Sequence, residues 1–526
     1  MIDLVVSGGA VVDGTGAPGI PADVAVEDGR IAAIGDLRDA DSERRLDASG
    51  MIVAPGFIDI HSHSDYTLLV DPRAQSAVAQ GVTTELVGNC GHGCAPITEP
   101  DRFTSNIYGY DPVVQIDWST MPEYLDRLEA AGPAVNVATL VPNGNLRLAA
   151  MADPGATATP DEVGRMGMML EEGLEAGAYG FSNGLEYALE SAASEDETAE
   201  LCRIVARAGA LYVTHERNKD IHAVEAIEEG IRVARDSGAR LQISHIVPRR
   251  SSPPGSIERV VELVEEARSS GIDAAFDAHT RLHGILNASA ALPAWALEGT
   301  PDDLRARLSD PEARGRMKQH RSIVSNLQLV GWDRLYLFTS WARPGSVGRS
   351  FAELAPRGGD PFDALLDVIL AEAEDPHRSL IISHAYEEEW LRQTFRHPLC
   401  TTESDATALC TDGPLADTLF LGAYTWAAWF YRRFVRETGD FTVEEAVHKL
   451  AAAPAARIGL ADRGTLAPGK AADIAVFDPA SYRETGTLED PNHLAQGVQH
   501  VVVNGVPAIE NATFTTHRSG QVLRRV

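Results

Sequence analysis

Six residues able to bind a metal ion stand at the ends of predicted strands in this chain. His61 and His63 close Phe57-Ile58-Asp59-Ile60-His61-Ser62-His63, Cys90 follows Leu86-Val87-Gly88-Asn89, and His215 closes Tyr212-Val213-Thr214. His245 ends Gln242-Ile243-Ser244 and Asp405 ends Thr401-Thr402-Glu403-Ser404. Imidazole nitrogen, thiolate sulfur and carboxylate oxygen are the donors that zinc and its neighbours take. Each has an ordinary explanation alone, since a lone buried Cys is usually a small hydrophobe. His61 and His63, two apart, project to the same side if a strand runs through both. Gathered at one end of successive strands, the six predict a metal site.

The elements that must position them are read from hydrophobic period and breakers. Strand ends are expected at 59–63, 86–90, 135–141, 180–185, 212–215, 242–245, 274–277 and 401–405. Ala-, Glu- and Leu-rich helices fall between most of them, at 162–175, 195–207 and 257–268. This alternation predicts an α/β fold, a (β/α)8 TIM-like barrel whose site lies at the C-terminal ends of the strands. The stretch 281–399 is too long for a connection and predicts an inserted subdomain with helices near 302–307 and 361–373. Short strands at both chain ends, such as Asp23-Val24-Ala25-Val26 and Ile474-Ala475-Val476-Phe477, predict one small β-sandwich built from both termini. The expected division is 1–56 and 451–526 for the sandwich and 57–450 for the barrel with its insertion.

At 526 residues the chain exceeds one ordinary core. Hydrophobic content of 44% and charged content of 23% are those of a globular protein. A net charge of −31 argues against nucleic acid or an acidic membrane face as partner. No window approaches the roughly 20 apolar residues of a membrane span. The start, Met1-Ile2-Asp3-Leu4-Val5-Val6, carries an acid where a secretory leader needs a base. Five irregularly spaced cysteines make a disulfide framework unexpected. A cytoplasmic protein acting on a small molecule is expected, with a homo-oligomer left open.

The residues also carry a resemblance. Ala54-Pro55-Gly56-Phe57-Ile58-Asp59 through Asp65, Gly81-Val82-Thr83-Thr84, Gly88-Asn89-Cys90-Gly91, Thr214-His215-Glu216-Arg217-Asn218, Ser244-His245, Ser404-Asp405 and Arg463-Gly464-Thr465-Leu466-Ala467-Pro468-Gly469 resemble the amidohydrolase superfamily. Within it they resemble the D-aminoacylase, or N-acyl-D-amino-acid deacylase, branch. Gly-Asn-Cys-Gly is the specific part, because other branches commonly use a carbamylated lysine on the fourth strand, and 180–187 holds none. The resemblance implies one zinc held tightly by Cys90, His215 and His245, and a weaker second position framed by His61, His63 and Asp405. It further implies Asp405 as the general base that takes a proton from water and returns it to the leaving nitrogen.

The substrate-holding positions depart from the family. Its pattern has a lysine two positions after the sixth-strand histidine and Tyr-Thr-Ala-Ser after the seventh strand; this chain has Val247 and Asp277-Ala278-His279-Thr280. Leu421 to Phe430 is aromatic where the family has His-Pro-Arg and Phe-Pro-Arg. Candidates for substrate contact are Arg217, Tyr187, Arg249, His279, His283 and Trp426, with Arg250 and Arg281 as further cations, since an arginine fork grips carboxylate. The leading expectation is a zinc-dependent amidohydrolase cleaving the amide C–N bond of an N-acyl (D-)amino acid or a related amide. The alternatives are a hydrolase of an aromatic amide, carbamate, cyclic amide or ester, and a non-catalytic metal-binding scaffold.

Overall fold

The computed structural model describes residues 1–297, 299–320, 322–376 and 378–525. Its strands, in chain order, begin with β1 (Ile2–Val11), β2 (Ile20–Glu27), β3 (Arg30–Gly35), β4 (Ser42–Asp47) and β5 (Ile52–Pro55). Next come β6 (Phe57–Asp59), β7 (Val82–Val87), β8 (Asn136–Pro142), β9 (Gly180–Gly184), β10 (Leu211–His215), β11 (Arg240–Ile243) and β12 (Ala274–His279). Three strands follow in the expected insertion, β13 (Gly284–Asn287), β14 (Leu335–Leu337) and β15 (Leu380–Ser383), before β16 (Cys400–Glu403). The chain ends with β17 (Ile474–Phe477), β18 (Val498–Val503), β19 (Val506–Glu510) and β20 (Thr513–Phe514).

β6 to β12 and β16 form one eight-stranded sheet in the order β16-β12-β11-β10-β9-β8-β7-β6. Every neighbouring pair is parallel. A parallel bridge between Ser62 and Ala406 draws the two edges together, completing the predicted (β/α)8 barrel. Helices cover the outside, so both strand faces are dry. Apart from Arg240 at the start of β11, every strand residue is buried.

The covering helices start where their caps dictate. Thr159 accepts a hydrogen bond from the Glu162 amide while Glu162 accepts from the Thr159 amide, a reciprocal cap that with Pro160 starts the helix Pro160–Glu175. That helix buries Met166, Leu170 and Leu174 on one face. Ser194 likewise caps Glu195–Arg207, and Ser256–Ser269 follows β11, so all three expected helices form close to their predicted bounds.

Between β12 and β16 the chain builds a separate small sheet, with β15 antiparallel to both β13 and β14. The helices Pro301–Ser309 and Pro361–Ala371 answer the two expected there. The sheet itself was not anticipated, because its strands are three or four residues long and their partners lie far apart in sequence.

Both chain ends meet in a nine-stranded sheet, β20-β19-β18-β17-β5-β1-β2-β3 with β4 against β1. The join is antiparallel pairing of β5 with β17. Leu4, Val6, Val24, Val26, Leu46, Val53, Ile474 and Val476 share its core. Among the described residues no helix is long and apolar enough to cross a membrane.

Candidate active site

His61, Cys90, His245 and Asp405 meet at the C-terminal mouth of the barrel, their donor atoms all within 4.8 Å of one another. Cys90 Sγ lies 3.2 Å from His61 Nε2 and 3.4 Å from His245 Nε2. Asp405 Oδ1 lies 3.7 Å from His61 Nε2 and 3.2 Å from His63 Nε2. Donors around a tetrahedral zinc, with Zn–N about 2.0 Å and Zn–S about 2.3 Å, are themselves roughly 3.5 Å apart, so this set fits such an ion. The outer nitrogens are not hydrogen-bonded: His61 Nδ1 lies 3.7 Å from Asp277 Oδ1 and His245 Nδ1 4.0 Å from Glu216 Oε2, and both are buried without partners, with a carboxylate nearby of the kind that orients such imidazoles.

Of the six predicted donors only His215, at the end of β10, sits on a strand; the others do not, although an alternating strand through His61 and His63 requires it. β6 stops at Asp59, and Cys90, His245 and Asp405 lie on turns past their strands with φ of 54°, 36° and 41°. Left-handed backbone at non-glycine residues costs about 1–3 kcal/mol each and persists where the surroundings impose it. Here they do. The His245 amide donates to Asp277 Oδ1 at 2.6 Å and the Asp405 amide to the His61 carbonyl at 3.0 Å. The His63 amide donates to the Ala406 carbonyl at 2.7 Å.

His215 stands beside the cluster, its ring centroid 4.6 Å from that of His245, but its Nε2 is 3.1 Å from Glu186 Oε2. Arg249 grips Glu186 with two nitrogens, at 2.7 and 2.8 Å, and Asp220 at 2.8 Å. Burial raises the Glu186 carboxyl, but Arg249 outweighs it and holds the group well below the usual range. Burial pushes His215 down to about 4 and His245 well below its ordinary value. It pushes the Cys90 thiol up, so a thiolate there needs a nearby cation. For Asp405 burial raises the carboxyl, but the Arg281 guanidinium and then His63 overcome it and keep it ionised.

Of the other sequence-derived candidates, Tyr187 joins a wall of rings. His63 stacks on Tyr108 at 4.5 Å, Tyr108 meets His92 at 5.4 Å, His92 meets Tyr187 at 4.6 Å and Tyr187 meets His215 at 4.8 Å. His279 packs against Tyr386 at 4.6 Å, and its Nδ1 and His283 Nε2 are buried without hydrogen-bond partners. Arg217 is turned to Glu229 and to the Ser191 and Ala193 carbonyls. Trp426 is 2% exposed within the main apolar core, on the helix Leu421–Phe430.

Residues not singled out from the sequence complete the site. Glu186 stands two residues past β9, beside Tyr187. Lys219 is buried four residues past His215, donating to Glu216 Oε1 at 2.7 Å and to the His245 carbonyl. Val247 stands where the family pattern has lysine, and Lys219 of the neighbouring loop reaches the same strand end. Its place beside the Thr214 to Asn218 motif was the available signal.

A barrel of this order with such a donor cluster defines a class, and the amidohydrolase family model matches residues 44–301 and 371–509. This chain belongs to the amidohydrolase family, hydrolases of C–N bonds other than peptide bonds, and within it to the D-aminoacylase branch. It is 36% identical to N-acyl-D-glutamate deacylase of Alcaligenes xylosoxydans xylosoxydans, over 100% of this chain and 97% of that one. It superposes on the crystal structure of N-acyl-D-glutamate deacylase from Bordetella bronchiseptica, complexed with zinc and a phosphonate mimic of the tetrahedral intermediate. That match has a TM-score of 0.82 and 32% identity, covering 99% of each chain. A D-aminoacylase structure with a binuclear metal centre matches with a TM-score of 0.81 and 30% identity over 100% of each chain.

Proposed function

We propose that this protein is a cytoplasmic zinc-dependent deacylase of an N-acyl D-amino acid. The observation that carries the reading is the convergence of His61, Cys90, His245 and Asp405 within 4.8 Å. The names of its full-length relatives support the substrate class, and five cysteines free of disulfides support the location. Cys90, His215 and His245 are the proposed tight set, with His215 turning from Glu186. His61, His63 and Asp405 are the proposed frame of a second, weaker position. The contacts of Cys90 with both His61 and His245 support its serving the two.

Bound there, zinc supplies Lewis-acid polarisation of a carbonyl and makes water more acidic. The protein's own part falls to Asp405. Its Oδ1, beside the histidines, accepts the proton of the attacking water and returns it to the leaving nitrogen. Its Oδ2, held by Arg281, stays out of that exchange. Tyr108, His92 and Tyr187 offer a wall for the acyl group. Metal analysis of purified protein, with turnover measured on paired N-acyl D- and L-amino acids, tests this. The expected result is zinc at about one per chain, lost in Cys90→Ala, with turnover of the D series. Zinc retained in Cys90→Ala overturns the ligand set, and turnover of a neutral aromatic amide alone overturns the substrate class.

A further inference from the structure

We infer that Arg281 is the residue that takes the substrate's α-carboxylate, an assignment that rests on the N-acyl amino acid reading above. The cations that follow the barrel strands set the argument. Arg217 is paired with Glu229, Lys219 with Glu216, Arg249 with Glu186 and Asp220, and Arg250 with Glu387. Each of these partners is a carboxylate with no part in the proposed proton transfer. Arg281 differs, because its partner is Asp405, the base itself.

The guanidinium is also incompletely satisfied. Its Nη1 donates to the Ser404 carbonyl and its Nη2 to Asp405 Oδ2, while Nε is buried with no partner. Nε and Nη2 are the edge an arginine uses for a side-on carboxylate pair. One of those donors is therefore unpaired and the other is held by a carboxylate shared with the reacting centre. The side chain is 8% exposed, with the Phe420 ring 5.5 Å from its guanidinium. Reach agrees. In an N-acyl amino acid only the nitrogen and Cα separate the scissile carbonyl carbon from the α-carboxylate carbon. Asp405 lies between the two, with Oδ1 3.2 Å from His63 Nε2 and Oδ2 accepting from Arg281, so the guanidinium stands one carboxylate's width from the donor cluster. A substrate whose carbonyl lies over the donor cluster brings its carboxylate toward the Nε–Nη2 edge of Arg281, in place of Asp405 Oδ2.

The test compares N-acetyl-D-glutamate with N-acetyl-D-isoglutamine, in which the α-carboxylate is a neutral amide, on the zinc-loaded protein. Wild type is expected to prefer the acid through KM. Arg281→Met is expected to lower kcat on both compounds by a common factor, because Asp405 loses its partner, and in addition to raise KM for the acid alone about tenfold or more, erasing the preference. Arg281→Lys, which keeps the charge and the fold but loses the fork, is expected to fall between. A loss of kcat by the same factor on both compounds, with the KM ratio unmoved, overturns the assignment and leaves Arg281 a positioning residue for Asp405. Calorimetric titration of N-acetyl-D-glutamate into Asp405→Asn, with and without Arg281→Met, reads binding apart from turnover. Binding that depends on Arg281 without turnover in wild type sinks the deacylase reading alone. Turnover without Arg281-dependent binding sinks this inference alone.

Discussion

The turn that carries Cys90 is held by a carboxylate that sequence reading passed over. A methyl group placed on Gly91, whose φ is +73°, would stand 1.7 Å from Glu190 Oε1, so only glycine lets that carboxylate close against the turn. Glu190 Oε2 accepts from Asn143 Nδ2 at 2.8 Å and from the Gly184 amide at 3.1 Å. Burial nevertheless dominates and pushes the carboxyl up to about 7 from an ordinary 4.5. The folded protein therefore keeps this proton where the unfolded chain has lost it. Stability from this group is full below the unfolded value of about 4.5 and is lost as pH rises through about 7, roughly 3 kcal/mol in all. Glu190→Gln, neutral throughout, should remove that slope. Urea midpoints compared at about pH 4.5 and about pH 8, at equal metal content, check it. Identical pH dependence in the two proteins would show that Glu190 titrates normally.

At the scale of elements, the barrel closes where β6 and β16 end, and one side chain ties them. Asp59 Oδ1 accepts from the His61 amide at 3.2 Å and from the Ser404 amide at 3.1 Å, with the residue 1% exposed. Asp59→Ala strands two buried donors and should cost about 2–4 kcal/mol, since each unsatisfied group costs about 1–3 kcal/mol. Asp59→Asn keeps an acceptor and should lose much less. A lowered denaturation midpoint for the alanine variant, with weaker zinc retention because His61 and Asp405 flank the clamp, is the expected result. Equal stability of the two variants would show that the closure does not depend on it. Such a tie also marks how far the elements were legible in the sequence. β8 and β10 stand out by Val137-Ala138, Leu140-Val141 and Leu211-Tyr212-Val213, as strands dry on both faces do, whereas β7 and β9 bury Thr83, Thr84, Glu85, Ser182 and Asn183. The left-handed turns at Cys90, His245 and Asp405 do not, because nothing in a Cys, His or Asp announces a positive φ. Glu186 and Lys219 were unread for another reason. Their partners, Arg249 and the His245 carbonyl, lie on other strand-end loops, and only closure of the barrel makes them neighbours.

At the scale of the whole molecule, the sheet built from both chain ends is bonded to the barrel at the face away from the site. Asp473, just before β17, accepts from the Asn504 amide at 2.7 Å, from Asn136 Nδ2 at 3.1 Å, and from Arg463. Asn136 is the first residue of β8, so the junction lies at the N-terminal ends of the barrel strands, where side chains serve stability and not chemistry. The Asp473 and Arg463 side chains are 4% and 5% exposed, and burial of this pair makes it costly to break. Asp473→Ala leaves the guanidinium with only the half-exposed Asp462 at 3.7 Å and the Asn504 amide oxygen at 2.9 Å, and should cost about 3 kcal/mol. Because the catalytic mouth is at the other end of β8, kcat of the molecules that remain folded should stay close to wild type. Urea unfolding together with active-site titration separates the two effects. A fall in kcat per folded molecule that matched the loss of stability would mean that the terminal sheet shapes the site through the length of the barrel.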